Sequence, residues 1–417
     1  MEVAVTPRFR PIYFGWWVVA ASFACLMLVN GSTIFLFGLM VVPVSEDLGL
    51  PRSVANQGYI LYMVGLTVWG PVAGWLIDRL SVRLLVPAGA VMITAGFATI
   101  ATTDKLWLMA TMLAFPVAIG GGLAGMITGG ALTSRWFRRR RGRALGIYAM
   151  ASSLAGLAIT PASAAAIEVL GWRTALMAQG LVLCVIIVTF GLVFMRDHPS
   201  PEQLREELNT EEGDSPEMPA EGRVWTAKEL FCERNFYLIV VSMGILFASD
   251  GVLVISMVPH MSDLGISLTA AALVVSAQSA SATFGKLVVG FLSERISIIW
   301  IYGVVIVCHL ALLALYLIWP GYWIMLLASA VIGIAVGGTV PVKFIMISKA
   351  FGSRSFAFIM GLANVISQIF SAIALYLAGV SYDQNGNYSV AFVGMMIAVS
   401  VSFLLASRVR FNQALGA

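Results

Sequence analysis

The sequence predicts an all-α membrane protein: twelve transmembrane helices in two pseudo-symmetric six-helix bundles, with the N- and C-termini in the cytoplasm. Three observations carry this. The 417 residues are 59% hydrophobic and 11% charged, with a mean hydropathy of +0.92, whereas a soluble domain carries about 25% charged residues. Twelve apolar stretches are long enough to cross a bilayer. Short signatures in the first half recur in the second at one fixed offset. A chain this poor in charge cannot cover a water-facing surface, which excludes a soluble enzyme, a nucleic-acid-binding protein and a disordered chain.

A spanning helix needs about 20 apolar residues. The qualifying segments are 14–44, 54–77, 84–102, 106–133, 144–167, 174–195, 236–262, 267–292, 297–318, 321–348, 355–380 and 386–407. The first runs far past the short apolar core of a cleavable signal peptide, so it is read as span 1. Turn residues separate several spans: Gly49-Leu50-Pro51, Trp319-Pro320-Gly321 and Asp383–Asn387. Transmembrane strands would alternate over about 10 residues. These runs are long and continuous, and a helix satisfies its own backbone in lipid.

Residues 196–235 are the one long polar stretch, with eleven acids, five bases and four prolines. They read as a cytoplasmic linker, with short surface helices at Glu202–Leu208 and Thr226–Phe231. The domains expected are therefore 1–195 (first bundle), 196–235 (linker) and 236–417 (second bundle). With the N-terminus inside, cytoplasmic segments hold 20 of the 25 Lys and Arg residues. Arg52, Lys105 and Arg173 fall outside, and Lys286 and Lys343 lie within spans. This asymmetry follows the positive-inside rule and explains the basic pI without nucleic acid. The expected location is the cell (inner) membrane, multi-pass.

The halves repeat. Asp47-Leu48-Gly49 recurs as Asp263-Leu264-Gly265, and Gly74-Trp75-Leu76-Ile77-Asp78-Arg79 recurs as Gly290-Phe291-Leu292-Ser293-Glu294-Arg295, both 216 residues later. Gly-rich stretches in spans 4 (Gly120, Gly121, Gly122, Gly125) and 10 (Gly333, Gly337, Gly338) occupy similar places. A parallel six-span repeat marks a two-bundle transporter with its site between the bundles. The four cysteines are scattered without metal or redox spacing. No Walker loop, metal cluster or hydrolase elbow is present, so no cofactor, metal or enzymatic activity is expected.

These residues bring a family into view. Over its whole length the chain resembles the major facilitator superfamily. The loop Gly70 to Arg83 is similar to that family's most characteristic motif, with Val82 in place of its usual glycine. Arg135-Trp136-Phe137 followed by Arg141-Gly142-Arg143-Ala144-Leu145-Gly146 is similar to the segment between spans 4 and 5. Tyr13-Phe14-Gly15-Trp16-Trp17 resembles the opening of the monocarboxylate transporters and the bacterial oxalate:formate antiporters. The resemblance implies that Asp78, Arg79 and Arg83 latch the cytoplasmic gate. Topology alone also accounts for the two arginines, but an acid has no topological use there. The Arg138–Arg141 run reads as an anchor at anionic lipid.

Three charges lie well inside spans: Asp250, Lys286 and Lys343. A charge at a helix centre costs roughly 2.5–3.5 kcal/mol by insertion scales, so function is the default reading. Asp250 lies near the midplane. Burial and a nearby cation act on a carboxyl in opposite senses, which suits proton coupling; a structural ion pair is the other reading. Lys286 shares a stripe with Ser279 and Thr283, and stands where the resemblance implies an arginine that binds a carboxylate. Here the family's accompanying acid is replaced by Ala282, and Asp250 is expected to pair with Lys286 instead. Lys286 and Lys343 each either meet substrate or snorkel to the surface. Asn364, Gln368 and Ser371 on span 11, Asn30, Ser32 and Thr33 on span 1, and Gln278 on span 8 read together as a cavity lining. By the resemblance span 9 is peripheral, so His309 is given no role.

The expectation is a secondary active transporter moving a small organic anion across the cytoplasmic membrane by alternating access. By resemblance this is a monocarboxylate such as lactate or pyruvate, moved by proton symport. Lys286, Asn30, Thr283, Gln278, Asn364, Gln368 and Lys343 contact the substrate and Asp250 takes the proton. The alternative is proton-independent exchange of a dicarboxylate or monocarboxylate between the two lysines. The partners are the anion, the proton and the lipid bilayer, without nucleic acid, and one chain forms a complete pathway as a monomer.

Overall fold

The computed structural model describes residues 13–137, 141–203, 225–293, 295–352, 356–409 and 411. Among them, twelve helices are long and apolar enough to cross a membrane: Gly15–Leu48, Arg52–Ile77, Val82–Thr102, Leu106–Trp136, Arg143–Leu170, Trp172–Phe194, Arg234–Asp263, Leu268–Val289, Ile298–Ile318, Tyr322–Phe351, Phe358–Asn385 and Ser389–Ala406. These are spans 1–12 below. They form two six-helix bundles. The short helix Ala227–Cys232 precedes span 7, opened by a Thr226–Glu229 capping box. The helix expected at Glu202–Leu208 falls mostly outside the described residues.

Span 1 carries one π turn, Gly31–Phe35, immediately after Asn30. Such a turn widens the helix locally and is frequent at functional sites. Spans 4 and 10 break at matching places, the former at Gly125 (φ −104°, ψ −135°) and the latter at Gly338. At the first break, the Tyr148 hydroxyl donates to the carbonyls of Gly125 and Met126, both at 3.2 Å, and Thr128 Oγ1 donates to the Leu123 carbonyl at 2.5 Å. The backbone groups released by the break are thus partnered, as a lipid environment requires.

The end of the molecule that carries residues 13, 196 and 225 is called the near end, and the end carrying Arg52 and Asp263 the far end. At the near end Tyr13 donates to the Trp136 carbonyl at 2.8 Å, and Trp136 Nε1 donates to the Arg196 carbonyl at 2.8 Å. Trp136 and Phe137 are completely buried. The span-1 opening and the Arg-Trp-Phe motif therefore pack on each other.

The bundles meet through spans 5 and 8, 2 and 11, and 1 and 7. At the far end, Arg52 binds Asp263 with both guanidinium nitrogens, one at 2.8 Å, and lies 3.9 Å from the Tyr382 ring. Asp383 of span 11 accepts from the backbone N–H groups of Arg52 and Ser53 at the start of span 2. Glu168 of span 5 accepts from the N–H and hydroxyl of Thr269 at the start of span 8. In each bundle a carboxylate therefore caps the helix N-terminus of the other, where backbone donors and dipole favour an anion. Deeper in the seam, Ser276 donates to the Gly156 carbonyl at 3.2 Å, and Gln368 Nε2 lies 3.6 Å from Met63 Sδ. The near halves of spans 4 and 10 pack chiefly within their own bundles.

Spans 8 and 10 touch backbone to backbone. A Cβ at Gly285 would overlap the Ile334 carbonyl, and one at Gly337 the Ala282 carbonyl. Rigid backbone cannot yield as a side-chain tip does. Gly285→Ala is expected to destabilise the protein by about 1–3 kcal/mol, read as a lower melting temperature of the purified protein. An exposed position such as Gly361, where a Cβ meets open space, serves as the control.

Candidate functional site

Span 7 positions the centre of the site. Phe247 and Asp250 lie one helical turn apart on it, midway between the two ends. Asp250 Oδ1 lies 2.7 Å from His309 Nε2 of span 9, and the side chains are 22% and 0% exposed. His309 Nδ1 lies 2.8 Å from the Val305 carbonyl on its own helix. The Asp250–Lys286 ion pair expected from the sequence is not formed: Asp250 turns to span 9, because the residue facing it there is a buried imidazole. His309, which has no role in the sequence reading because the resemblance makes span 9 peripheral, is therefore a member of the central polar cluster. The signal that could have found it is its depth. It is the twelfth residue of a 21-residue apolar span, level with Asp250.

Lys343 stands one turn past the Gly338 break in span 10. It is 1% exposed, so it does not snorkel. Its ammonium donates to Asn364 Oδ1 at 2.8 Å, Ser367 Oγ at 2.9 Å and the Ala363 carbonyl at 3.4 Å, and lies 4.6 Å from the Phe247 ring centroid. All these partners are neutral, so the cation is solvated by dipoles and a π face but not neutralised. Asn364 itself is exposed, which makes it the layer between Lys343 and open space.

Lys286 is partly buried and makes no ion pair with Asp250. Thr283, one turn earlier, is buried and donates back to the Ser279 carbonyl at 3.1 Å. Gln278 is buried with its amide oxygen unpartnered. Gln368 sits in the seam against Met63 of span 2. Asn30, half-buried, borders the π turn. Ser32 turns away from a central lining and accepts from Gln179 Nε2 of span 6 at 3.0 Å, while Thr33 donates to the Val29 carbonyl. The reason is local: the π turn rotates this stretch, and Ser32 faces the interior of its own bundle.

At the near end, Arg79 stacks 4.4 Å from the Trp75 ring, Arg83 is exposed, and Arg135 donates to the Ile77 carbonyl at 3.2 Å. The Asp78 side chain lies outside the described residues, as do Arg138, Arg139 and Arg140.

The arrangement is that of a carrier. Two intramembrane cations and one acid–imidazole pair lie in the second bundle, amid amides and hydroxyls suited to binding a polar solute. Among known proteins, the chain is 24% identical to human monocarboxylate transporter 11, over 91% of this chain and 79% of that one. It is 23% identical to the oxalate:formate antiporter of Oxalobacter formigenes, over 72% and 68%. Its fold matches the inward-facing, unoccupied crystal structure of a bacterial homologue of the human lysosomal transporter Spinster, with a TM-score of 0.74 and 15% identity, covering 98% of this chain and 100% of that one. The profile of the Major Facilitator Superfamily matches residues 22–253 and 239–414, so the chain, a multi-pass protein of the cell (inner) membrane and a transporter rather than an enzyme, belongs to the Major Facilitator Superfamily.

Proposed function

We propose that the protein is a proton symporter of a small monocarboxylate such as lactate or pyruvate, working by alternating access. The observation that carries this reading is Lys343: a fully buried cation with only neutral partners. Burying an unpaired charge is costly, and a carboxylate ligand that completes the pair repays that cost. The low-identity kinship with a monocarboxylate transporter and an oxalate:formate antiporter supports an organic acid.

In this reading residues 1–195 and 236–417 are the moving bundles, joined by 196–235, and both termini are cytoplasmic. The far end faces outward, and its capped seam is the closed outer gate. In this state a monocarboxylate exchanges with the near end past Lys286 and Thr283 and binds at Lys343 and Asn364, with Asn30, Gln278 and Gln368 shaping the cavity. Asp250 carries the proton. Asp78, Arg79 and Arg83 close the cytoplasmic side when the far end opens.

Proteoliposomes loaded with a pH dye test this. Lactate uptake is expected to follow an inward proton gradient and to acidify the lumen. Lys286→Ala is expected to raise the KM for lactate roughly tenfold, the loss of one partly buried charge-assisted contact. An unchanged KM removes Lys286 from the pathway. A second reading, exchange without protons, is favoured by the presence of two lysines that could clamp a dicarboxylate. Rapid counterflow of oxalate with no proton movement would establish exchange and exclude symport.

A further inference from the structure

The proton of a symporter must rest somewhere between its two exits, and the hydrogen-bond geometry around His309 restricts where. The Val305 carbonyl only accepts, so His309 Nδ1 carries a hydrogen whenever that 2.8 Å bond stands. The opposite nitrogen, Nε2, faces Asp250 Oδ1 at 2.7 Å. Neither atom can donate without a further proton, because a neutral imidazole with Nδ1–H presents a lone pair at Nε2 and a carboxylate presents another. One proton therefore lies between them. It is written equally as a carboxylic acid donating to imidazole or as a carboxylate accepting from imidazolium, and the pair is neutral in both forms.

We propose that the Asp250–His309 pair, rather than Asp250 alone, is the proton carrier, and that its charge decides whether Lys343 is free to bind the substrate anion. This rests on the symport reading above. Asp250 is the wet end, 22% exposed, and His309 the dry end. Protons enter and leave through the carboxyl. With the proton in place the pair is neutral, and the Lys343 ammonium is left to a carboxylate ligand. When the proton departs, two lone pairs face each other and the bond breaks. The pair then carries one negative charge, and the Asp250 carboxylate competes for Lys343, which lies over Phe247 one turn along span 7. While His309 holds the proton the carboxylate is kept off Lys343, so proton and anion are carried together. The proton returns to water on the far side of the cycle from its entry, and no other bond changes.

The charged and titratable surroundings are few. Span 12, packed on both spans 7 and 9, contains no titratable residue. Span 10 carries Lys343, with Tyr322 and Lys349 toward its ends, and span 8 carries Lys286. Span 1, packed on span 7, carries Cys25, and Glu46 and Asp47 at its far end; span 7 itself carries Arg234 and Tyr237 toward its near end and His260 and Asp263 at its far end. Span 11 brings Tyr376, Tyr382 and Asp383, all in its far half. On span 9 itself are Cys308, adjacent to His309, and Tyr302 and Tyr316, each seven residues away. Lys343 is the cation over the Phe247 ring, one turn from Asp250 along span 7.

The test is His309→Gln, whose amide can still donate to Asp250 but holds no mobile proton. In pH-dye-loaded proteoliposomes, protons moved per lactate are expected to fall roughly tenfold, a ratio that does not depend on how much lactate flux the variant retains. The lactate KM is expected to lose its dependence on pH between about 6 and 8. A merely structural histidine would lower both fluxes together and leave the pH profile intact. Wild-type proton stoichiometry and pH profile in His309→Gln would overturn the proposal while leaving symport standing. If the wild type itself moves lactate without protons, symport and this proposal fall together. Should the variant not fold, histidine nitrogen NMR of the wild-type protein, which has three histidines, gives the same decision. The His309 Nε2 signal is expected to move with pH and with added lactate, and a signal indifferent to both overturns the proposal.

Discussion

Lys343→Met is expected to leave the melting temperature at or above that of wild type while abolishing the stabilisation conferred by lactate. The two effects have one cause. The ammonium is buried without an anion, so replacing it by an apolar side chain of similar length removes a desolvation penalty. Its former partners are not orphaned: Ser367 keeps its 2.8 Å bond to the Ala363 carbonyl, and Asn364 is exposed. Substrate binding loses a charge-assisted bond worth about 2–3 kcal/mol, roughly 30- to 150-fold in affinity. Ligand-induced thermal shift over a panel of carboxylates measures both effects together. A marked fall in melting temperature, with the lactate shift retained, would make Lys343 a structural residue and remove the main support for an anionic substrate.

The second large effect lies at the far end. Arg52→Ala removes a two-pronged ion pair to Asp263 and a stacking contact on Tyr382. Breaking a buried pair costs about 3–5 kcal/mol; with Asp263 29% exposed, about 1–3 kcal/mol is expected, a shift of roughly fivefold to 150-fold away from the closed seam. Asn56 reports it. It is 1% exposed, both of its amide atoms lack partners, and the amide lies beside Gly379 across the seam. A buried amide left unpartnered is costly, and opening would give it water. With the four native cysteines replaced, Asn56→Cys is expected to react with an impermeant thiol reagent far faster in Arg52→Ala than with Arg52 present. The charge swap of Arg52→Asp with Asp263→Arg is expected to restore much of the protection. Equal reactivity in all three would show that this ion pair does not hold the seam.

Much of the architecture was legible because its causes are one-dimensional. Apolar length produces the spans, and a duplication leaves its offset in plain view at Asp47 and Asp263. What escaped depends on which helix faces which. His309 and Asp250 are 59 residues apart on different spans, and nothing in a single sequence aims them at each other. Lys286 is the cation that the motif points to, so the sequence alone pairs Asp250 with it. Ser32 was misread for a subtler reason, since one π turn rotates its side chain out of the register that straight helical spacing assumes. The far seam was invisible in the same way: Glu168 and Asp383 look like ordinary loop-flanking acids until each meets the other bundle's helix start.

That seam contains an imbalance inherited from the duplication. The two caps answer each other across the pseudo-dyad, but the ion pair does not. Position 52 plus the offset of 216 is Leu268, which has no charge to offer, and Asp47, the counterpart of Asp263, is engaged at home with Arg173 at 2.8 Å. The far-end closure is therefore fastened along one flank and merely capped along the other. Opening should begin as a peel from the span 5–span 8 side, with the span 2–span 7 side as the last to part, so the two halves separate like a hinged cover and not like parallel plates.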